Sequence, residues 1–459
     1  LIWKFKSILV FFGALIMAIS SLIMYFLIAH KEEMISVLNA ETWFIISTLL
    51  APIGFVLQDV VADALTVEAI PKTDEKGNEI DFKTLKSLNV VMQLLGRVSI
   101  ISGTLVVSFI NLIMFSDSSE MSDNEKIVTY GKIYLYSLIV PIISIMGVVF
   151  SYISSKSRLN KLIKNGLTFE KAINLIYPVL KASKPNKSII TGSIIFVIFT
   201  LSIGISKIPF SQEIVFIGSF LIIVYLLITL SNQLDAVSKR MLIGTAIIIF
   251  VFRAMPGVGQ GASWFEIDVL KFDQEFLSLL GLIASILTIV GIFVLRPLME
   301  NASMSKLIII LSIAGSIFLL PSLAMFYGIH EITSKITNGI VDARFIAIFN
   351  TALESPLGQV SMIPILAWIA QSAPSHLKAT FFAVLASFTN LALSASNLGT
   401  KYLNQIFEVT REVKSKTGEI TTQADYSELG ILLLTVLLLT LTLPILATIL
   451  IRKLKLIAY

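Results

Sequence analysis

Residues 7–29, SILVFFGALIMAISSLIMYFLIA, form an unbroken apolar run without a charged residue. At about 1.5 Å per residue, such a run makes a helix long enough to cross roughly 30 Å of hydrocarbon. The same reading repeats at 43–66, 88–115, 128–153, 188–206, 213–231, 241–263, 276–296, 306–327, 343–370, 378–400 and 430–451. These runs are continuously apolar, whereas a membrane strand alternates apolar and polar residues over about ten positions. Composition agrees, because 56% of the 459 residues are hydrophobic and only 14% are charged, too little polar surface to clothe a soluble domain. The sequence therefore predicts an all-α integral membrane protein with about twelve crossings.

Lysine and arginine set the orientation, since positively charged short loops stay in the cytoplasm. Segment 154–187 carries Lys156, Arg158, Lys161, Lys164, Lys171, Lys181, Lys184 and Lys187 against one acid, Glu170. The loop before it carries Asp117, Glu120, Asp123 and Glu125 beside Lys126. Alternation from there places both termini in the cytoplasm of a multi-pass protein of a bacterial inner membrane or plasma membrane. The net charge of +5 is then a mark of topology. The lipid bilayer is an expected partner and nucleic acid is not.

Segment 154–187 reads as a solvated basic linker. A six-plus-six bundle would place such a linker after its sixth span, but here it follows the fourth. The expected organisation is 1–153 as a first half whose first two helices lie upstream, 154–187 as the linker, 188–240 as an inserted two-span pair, and 241–459 as a six-span second half. Pro52-Ile53-Gly54 and Pro356-Leu357-Gly358 fall on corresponding helices of those two pseudo-repeat halves. Interrupted segments at matched positions point to the binding sites of carriers.

Several chemistries are disfavoured. The chain has no cysteine, so it has neither disulfides nor a thiolate metal site. His30, His330 and His376 are far apart in sequence, and no metal or cofactor is expected. No GxxxxGK[ST] loop, nucleophile elbow or paired-histidine motif is present, and no enzyme is expected.

Charges inside the apolar runs are the informative ones, because each costs several kcal/mol, roughly 2.5–3.5 on insertion scales, unless it is paired or lines a wet cavity. Asp59 and Asp63 are four apart and share a helix face, with Glu68 beyond the apolar run. Gln93 and Arg97 repeat that spacing in the next span, at a depth from which a guanidinium would reach Asp59. An Asp59–Arg97 pair would either tie two helices together at an inner gate or take part in proton coupling or substrate binding. Arg253 and Glu354 each lie about twelve residues into their spans, near mid-depth, where carriers hold their substrates. They are expected to meet, as a binding site or as a structural ion pair. Arginine is suited to grip a carboxylate bidentately. Gln260, Gln359, Ser387, Asn390 and Asn397 add hydrogen-bonding groups at similar depth, each readable as an interhelical tie or as a ligand contact.

The stretch from Pro52 to Glu68, PIGFVLQDVVADALTVE, resembles the signature of the folate-biopterin transporter family of the major facilitator superfamily, with DVVxDALxVE at its core. Two further regions agree. One is Phe252-Arg-Ala-Met-Pro256 with Trp264-Phe-Glu-Ile-Asp268; the other runs from Glu354-Ser-Pro-Leu-Gly358 through Lys378-Ala-Thr-Phe-Phe-Ala383 to Asn390. The resemblance implies a major-facilitator-type bundle that moves pteridines such as folate or biopterin by alternating access, driven by protons or by exchange. A carrier of another organic anion, such as a nucleotide or peptidoglycan fragment, and a non-transporting membrane scaffold or receptor are the competing readings. The resemblance places Asp59, Asp63, Glu68, Arg253 and Glu354 at motif positions; depth and charge alone point to Arg97.

Overall fold

The computed structural model describes residues 2–68, 80–116, 121–164, 166, 168–176, 187–206, 208–232, 234–372, 378–414 and 419–456. The first nine helices are α1 (Ile2–Ala29), α2 (Lys31–Val37), α3 (Ala40–Glu68), α4 (Phe82–Met114), α5 (Asp123–Tyr136), α6 (Ile139–Lys164), α7 (Phe169–Ile176), α8 (Lys187–Ile205) and α9 (Ser211–Ser231). They are followed by α10 (Ala236–Arg253), α11 (Gln260–Asp268), α12 (Gln274–Val294), α13 (Arg296–Asn301), α14 (Met304–Phe326) and α15 (Ile329–Ile336). The last are α16 (Ala343–Glu354), α17 (Met362–Ser372), α18 (Lys378–Ile406) and α19 (Leu429–Lys453). A small antiparallel hairpin, β1 (Val413–Lys414) with β2 (Ile420–Thr422), lies between α18 and α19.

The described residues are thus all-α apart from that hairpin. Eight stretches among the described residues are long and apolar enough to cross a membrane, Ser7–Ala29 and Leu429–Lys453 among them. Each of the twelve expected runs falls on helix, but 128–153, 241–263 and 343–370 are interrupted.

Packing divides the chain into two units. The first comprises 1–68 and 120–201, and the second 69–119 and 202–459. In the first, α1 is the central helix and packs against α2, α3, α5 and α6. Small residues let α1 and α3 approach: a Cβ on Gly54 would lie 2.6 Å from the Gly13 carbonyl oxygen. Nearby, the Ser20 hydroxyl donates to the Ser47 carbonyl at 2.8 Å, and the Ser47 hydroxyl donates to the Ser20 carbonyl at 3.0 Å. Gln58, inside the signature stretch, donates to the Val10 carbonyl on α1 and accepts from Ser144 on α6.

In the second unit α4 lies along α12 and α17, and α14 along α19. Leu94 and Ile101 of α4 are buried with Ile292 of α12 and with Val360 and Ile363 near the start of α17. Phe265 of α11 is buried with Leu429, Leu432 and Val436 of α19. A third cluster joins Phe272 and Phe276 to Met325, Ala343 and Ala347.

Two helix breaks shape this unit. Proline lacks an N–H and its ring clashes with the carbonyl four residues back, so Pro256 stops α10. Gly259, at φ 82°, then adopts a left-handed backbone that side chains rarely accept. The second break follows Glu354, where Ser355–Leu357 form a single 3-10 turn around Pro356 and α17 restarts at Met362. The Thr288 hydroxyl on α12 donates to the Ser355 carbonyl at 2.9 Å, while Gly291 leaves room for the Pro356 backbone. The two Pro-x-Gly echoes therefore do different jobs: Pro52 stays within an unbroken α3, and Pro356 ends a helix.

Candidate functional site

Backbone groups freed in an apolar setting must find partners. At the first break those partners form a ladder on α18. The Ser396 hydroxyl donates to the Met255 carbonyl at 2.6 Å, the Gly257 N–H donates to the Thr400 hydroxyl at 2.8 Å, and the Asn404 amide donates to the Val258 carbonyl at 3.1 Å. The spacing of four places all three side chains on one face. Beside them on α18 runs a second polar stripe, Ser387, Asn390, Ser394 and Asn397, whose members are all exposed and make no side-chain hydrogen bond among the described residues. At 100° per residue they fall within about 80° of one another. Polar groups are costly against hydrocarbon, so such a stripe on a membrane helix calls for water or a partner helix.

Arg253 is the last residue of α10 and shares a face with the buried Leu242, Ala246 and Ile249. Its Nη1 donates to the Met362 sulfur at 2.6 Å, and its Nε is buried without a hydrogen-bond partner. Glu354 is the last residue of α16. It stands with Ala343, Ala347 and Asn350 on the inner face, opposite the exposed Phe345 and Phe349, and is itself open to solvent. The Asn350 side-chain oxygen on that face is buried and unpartnered, as is the Gln359 side-chain oxygen in the second break.

The expected Arg253–Glu354 ion pair is not formed; among the described residues neither side chain belongs to one. Counting depth from opposite ends assumed two straight helices, and each helix breaks just after its charged residue. Arg97 sits on α4 between Leu94 and Ile101, on the face packed against α12 and α17. Gln260 opens α11 and is exposed, and Gln93 is buried. Asp59 is exposed on the face of α3 turned away from α1, within the first unit, whereas Arg97 belongs to the second. Asp63 lies one turn further along α3, and its side chain, like that of Glu68, lies outside the described residues.

Sequence reasoning pointed to Arg253, Arg97, Glu354, Gln359, Gln260 and Asn390, and it passed over Ser394, the 396–400–404 ladder and Asn350. The four-residue spacing of Ser396, Thr400 and Asn404 was the available signal. A groove of about 680 Å³ between α10 and α19 is lined by Phe250, Met255, Leu446 and Leu450. Its walls are nearly all apolar, and it holds none of these polar groups.

Comparison with known proteins places this architecture. A 158-residue stretch is 22% identical to the folate-biopterin transporter of Synechocystis, covering 34% of this chain and 31% of that protein. A 171-residue stretch is 23% identical to folate transporter 2 of Plasmodium falciparum, covering 37% of this chain and 36% of that one. The matched stretches thus span about a third of each curated relative. Among solved structures, a POT family transporter in complex with 5-aminolevulinic acid superposes over 98% of this chain and 82% of its own, with a TM-score of 0.55 at 13% identity. The major facilitator proton:xylose symporter XylE matches 98% of this chain and 80% of its own, with a TM-score of 0.51 at 12% identity. At that identity the likeness is one of fold, a major-facilitator-type helical bundle. The BT1 family model matches residues 6–458, and the chain belongs to the BT1 family.

Proposed function

We propose that the protein is a secondary carrier that moves folate- or biopterin-like pteridines across a cell membrane by alternating access, driven by protons or by exchange. The carrying observation is the set of polar groups in the second unit, where two helices break beside Arg253 and Glu354 and α18 presents an exposed polar stripe. Interrupted helices with charges at their broken ends are how carriers build a site within the membrane. The printed names of the curated relatives supply the substrate class. Arg253, Arg97, Gln359, Gln260 and Asn390 would hold the solute, and Glu354 with Asp59 and Asp63 would carry protons.

We retain the organisation into halves 1–153 and 241–459, the linker 154–187 and the inserted pair 188–240, with both termini cytoplasmic. Labelled folate uptake into proteoliposomes, with and without a pH gradient, tests the function. Uptake above that of empty vesicles is expected, and a larger initial rate with the gradient marks proton coupling. No uptake across a panel of pteridines overturns the substrate class.

A further inference from the structure

The apolar groove between α10 and α19 has walls that share one pattern. On α19, Leu443, Leu446, Leu450 and Lys453 recur every three or four residues and are all exposed, turned away from the buried Pro444, Thr448 and Ile451. On α10, Arg240, Ile243, Ile247 and Val251 recur in the same way, opposite the buried Leu242, Thr245 and Ile249. At 100° per residue each set falls within about 80°. Each helix thus carries three apolar side chains that lead to one cation.

Both cations stand at the same end of the groove. The last turn of α19 closes with Lys455 in the left-handed region at φ 55°, and the Leu456 N–H donates to the Ile451 carbonyl at 3.2 Å. That turn lays the Leu456 backbone on α10, where a Cβ on Gly244 would collide with the Leu456 carbonyl. Arg240 lies one turn before Gly244, and Lys453 one turn before Leu456. Arg240, Arg452, Lys453 and Lys455 are exposed, and none belongs to an ion pair among the described residues. Asp235, the acid nearest Arg240 in the chain, is engaged as the cap of α10, where it accepts from the Val237 and Ser238 N–H groups.

Shape and charge together define the occupant. Each stripe rises about 15 Å, half of the roughly 30 Å of hydrocarbon, so the groove is one leaflet deep. The small side chains of Ala254 and Ala447 leave the space that Phe250, Leu446 and Leu450 border, and Lys453 closes one end. A solute with ring nitrogens and carbonyls would find almost no hydrogen-bond partner on those walls, and neither would water. An acyl chain needs none and gains by burial. Its headgroup would then lie at the charged end, where the long stems of arginine and lysine carry their charges to the membrane surface. Such cations attract a headgroup of net negative charge, whereas a zwitterionic headgroup brings a cation of its own.

We propose that the α10–α19 groove is a binding site for one anionic phospholipid, with an acyl chain along the two stripes and the headgroup phosphate answered by Arg240 and Lys453. The site is separate from the polar groups assigned to the solute and stands whether or not the solute is a pteridine.

The test is native mass spectrometry of the purified full chain in detergent, titrated with dioleoyl phosphatidylglycerol or dioleoyl phosphatidylcholine. Identical chains on the two lipids isolate the headgroup. The first phosphatidylglycerol is expected to bind at least about fivefold tighter than the first phosphatidylcholine. That ratio is expected to fall to within about twofold in R240Q/K453Q and to be kept in R240K/K453R, which guards against a folding defect. A447F, which puts a ring into the groove, is expected to weaken both lipids alike; if it does not fold in lipid-free detergent, the headgroup comparison decides alone. Equal affinities in the parent, or an unchanged ratio in R240Q/K453Q, overturn the site. An equal fall in K161Q/K164Q, at the end of α6, also overturns it by showing that basic charge anywhere on the surface suffices. So does a parent that is dimeric in detergent and monomeric as A447F, because a second copy then covers the groove.

Discussion

Gly291→Ala probes the seat of the second helix break. A Cβ at this position would collide with the Pro356 carbonyl oxygen and Cα and come within 2.7 Å of its carbonyl carbon. All three are backbone atoms, so no rotamer change relieves the contact. Non-bonded carbons settle at about 3.5–4.0 Å, and α12 and the 3-10 turn must part by roughly 1 Å. Overpacking of this kind costs about 1–3 kcal/mol, and alanine recovers up to about 1 kcal/mol through its better helix propensity. The net expectation is a loss on the order of 1–2 kcal/mol. Gly103→Ala on α4 is the control, because a Cβ there meets nothing within 4 Å, and it should be neutral or slightly stabilising. The two variants are compared by thermal unfolding of purified protein and by initial uptake rates. A Gly291→Ala protein as stable as Gly103→Ala and as fast as the parent would refute the idea that α12 seats the Pro356 backbone.

Three further outcomes are expected. Thr400→Val removes the acceptor of the Gly257 N–H, and with Ser396→Ala it frees the segment that follows Arg253; a combined loss of about 1–2 kcal/mol should appear in thermal unfolding, with hydrogen exchange rising at 255–259. Gly54→Leu should separate α1 from α3, since its first side-chain atom already meets the Gly13 carbonyl oxygen and Met17 at 2.6 Å; loss of folded protein on size-exclusion chromatography checks this. At the end of α11, Asp268 accepts a two-pronged contact from Arg411 and another from the Tyr426 hydroxyl. Arg411 holds the Asp268 carboxyl below its ordinary range, helped by Tyr426 and against some burial. Burial and then Asp268 push the Tyr426 phenol up to about 12. A lowered acid contributes its stability above its unfolded value of about 3.9 and loses it as pH falls through the lower folded value; the raised phenol contributes below about 10 and loses it as pH rises towards its folded value. Protection of 407–428 against hydrogen exchange, corrected for the intrinsic rate, should therefore be flat from about pH 5 to 9. It should fall at neutral pH in Asp268→Asn.

What the sequence made legible, and what it left hidden, follows from the physics of each feature. Continuous apolar runs have no soluble alternative, so the helices lie where composition puts them. The breaks were written as well, in Met255-Pro256-Gly257-Val258-Gly259 and Ser355-Pro356-Leu357-Gly358, but proline inside a membrane helix is compatible with continuity, as Pro52, Pro321 and Pro444 demonstrate. Only tertiary partners distinguish the cases: Ser396, Thr400 and Asn404 accommodate one break and Thr288 with Gly291 the other. Neighbour choice was the hidden part. Depth and charge pointed to Arg97, but they could not foresee that Leu94 and Ile101 would bury their face of α4 beside the second break.

The most direct test of the carrier account is solute counterflow in proteoliposomes preloaded with unlabelled folate. The account predicts a transient uphill accumulation of labelled folate in the parent and none in Arg253→Gln reconstituted at equal density. Label that merely equilibrates in the parent, or an overshoot of equal size in Arg253→Gln, would contradict it.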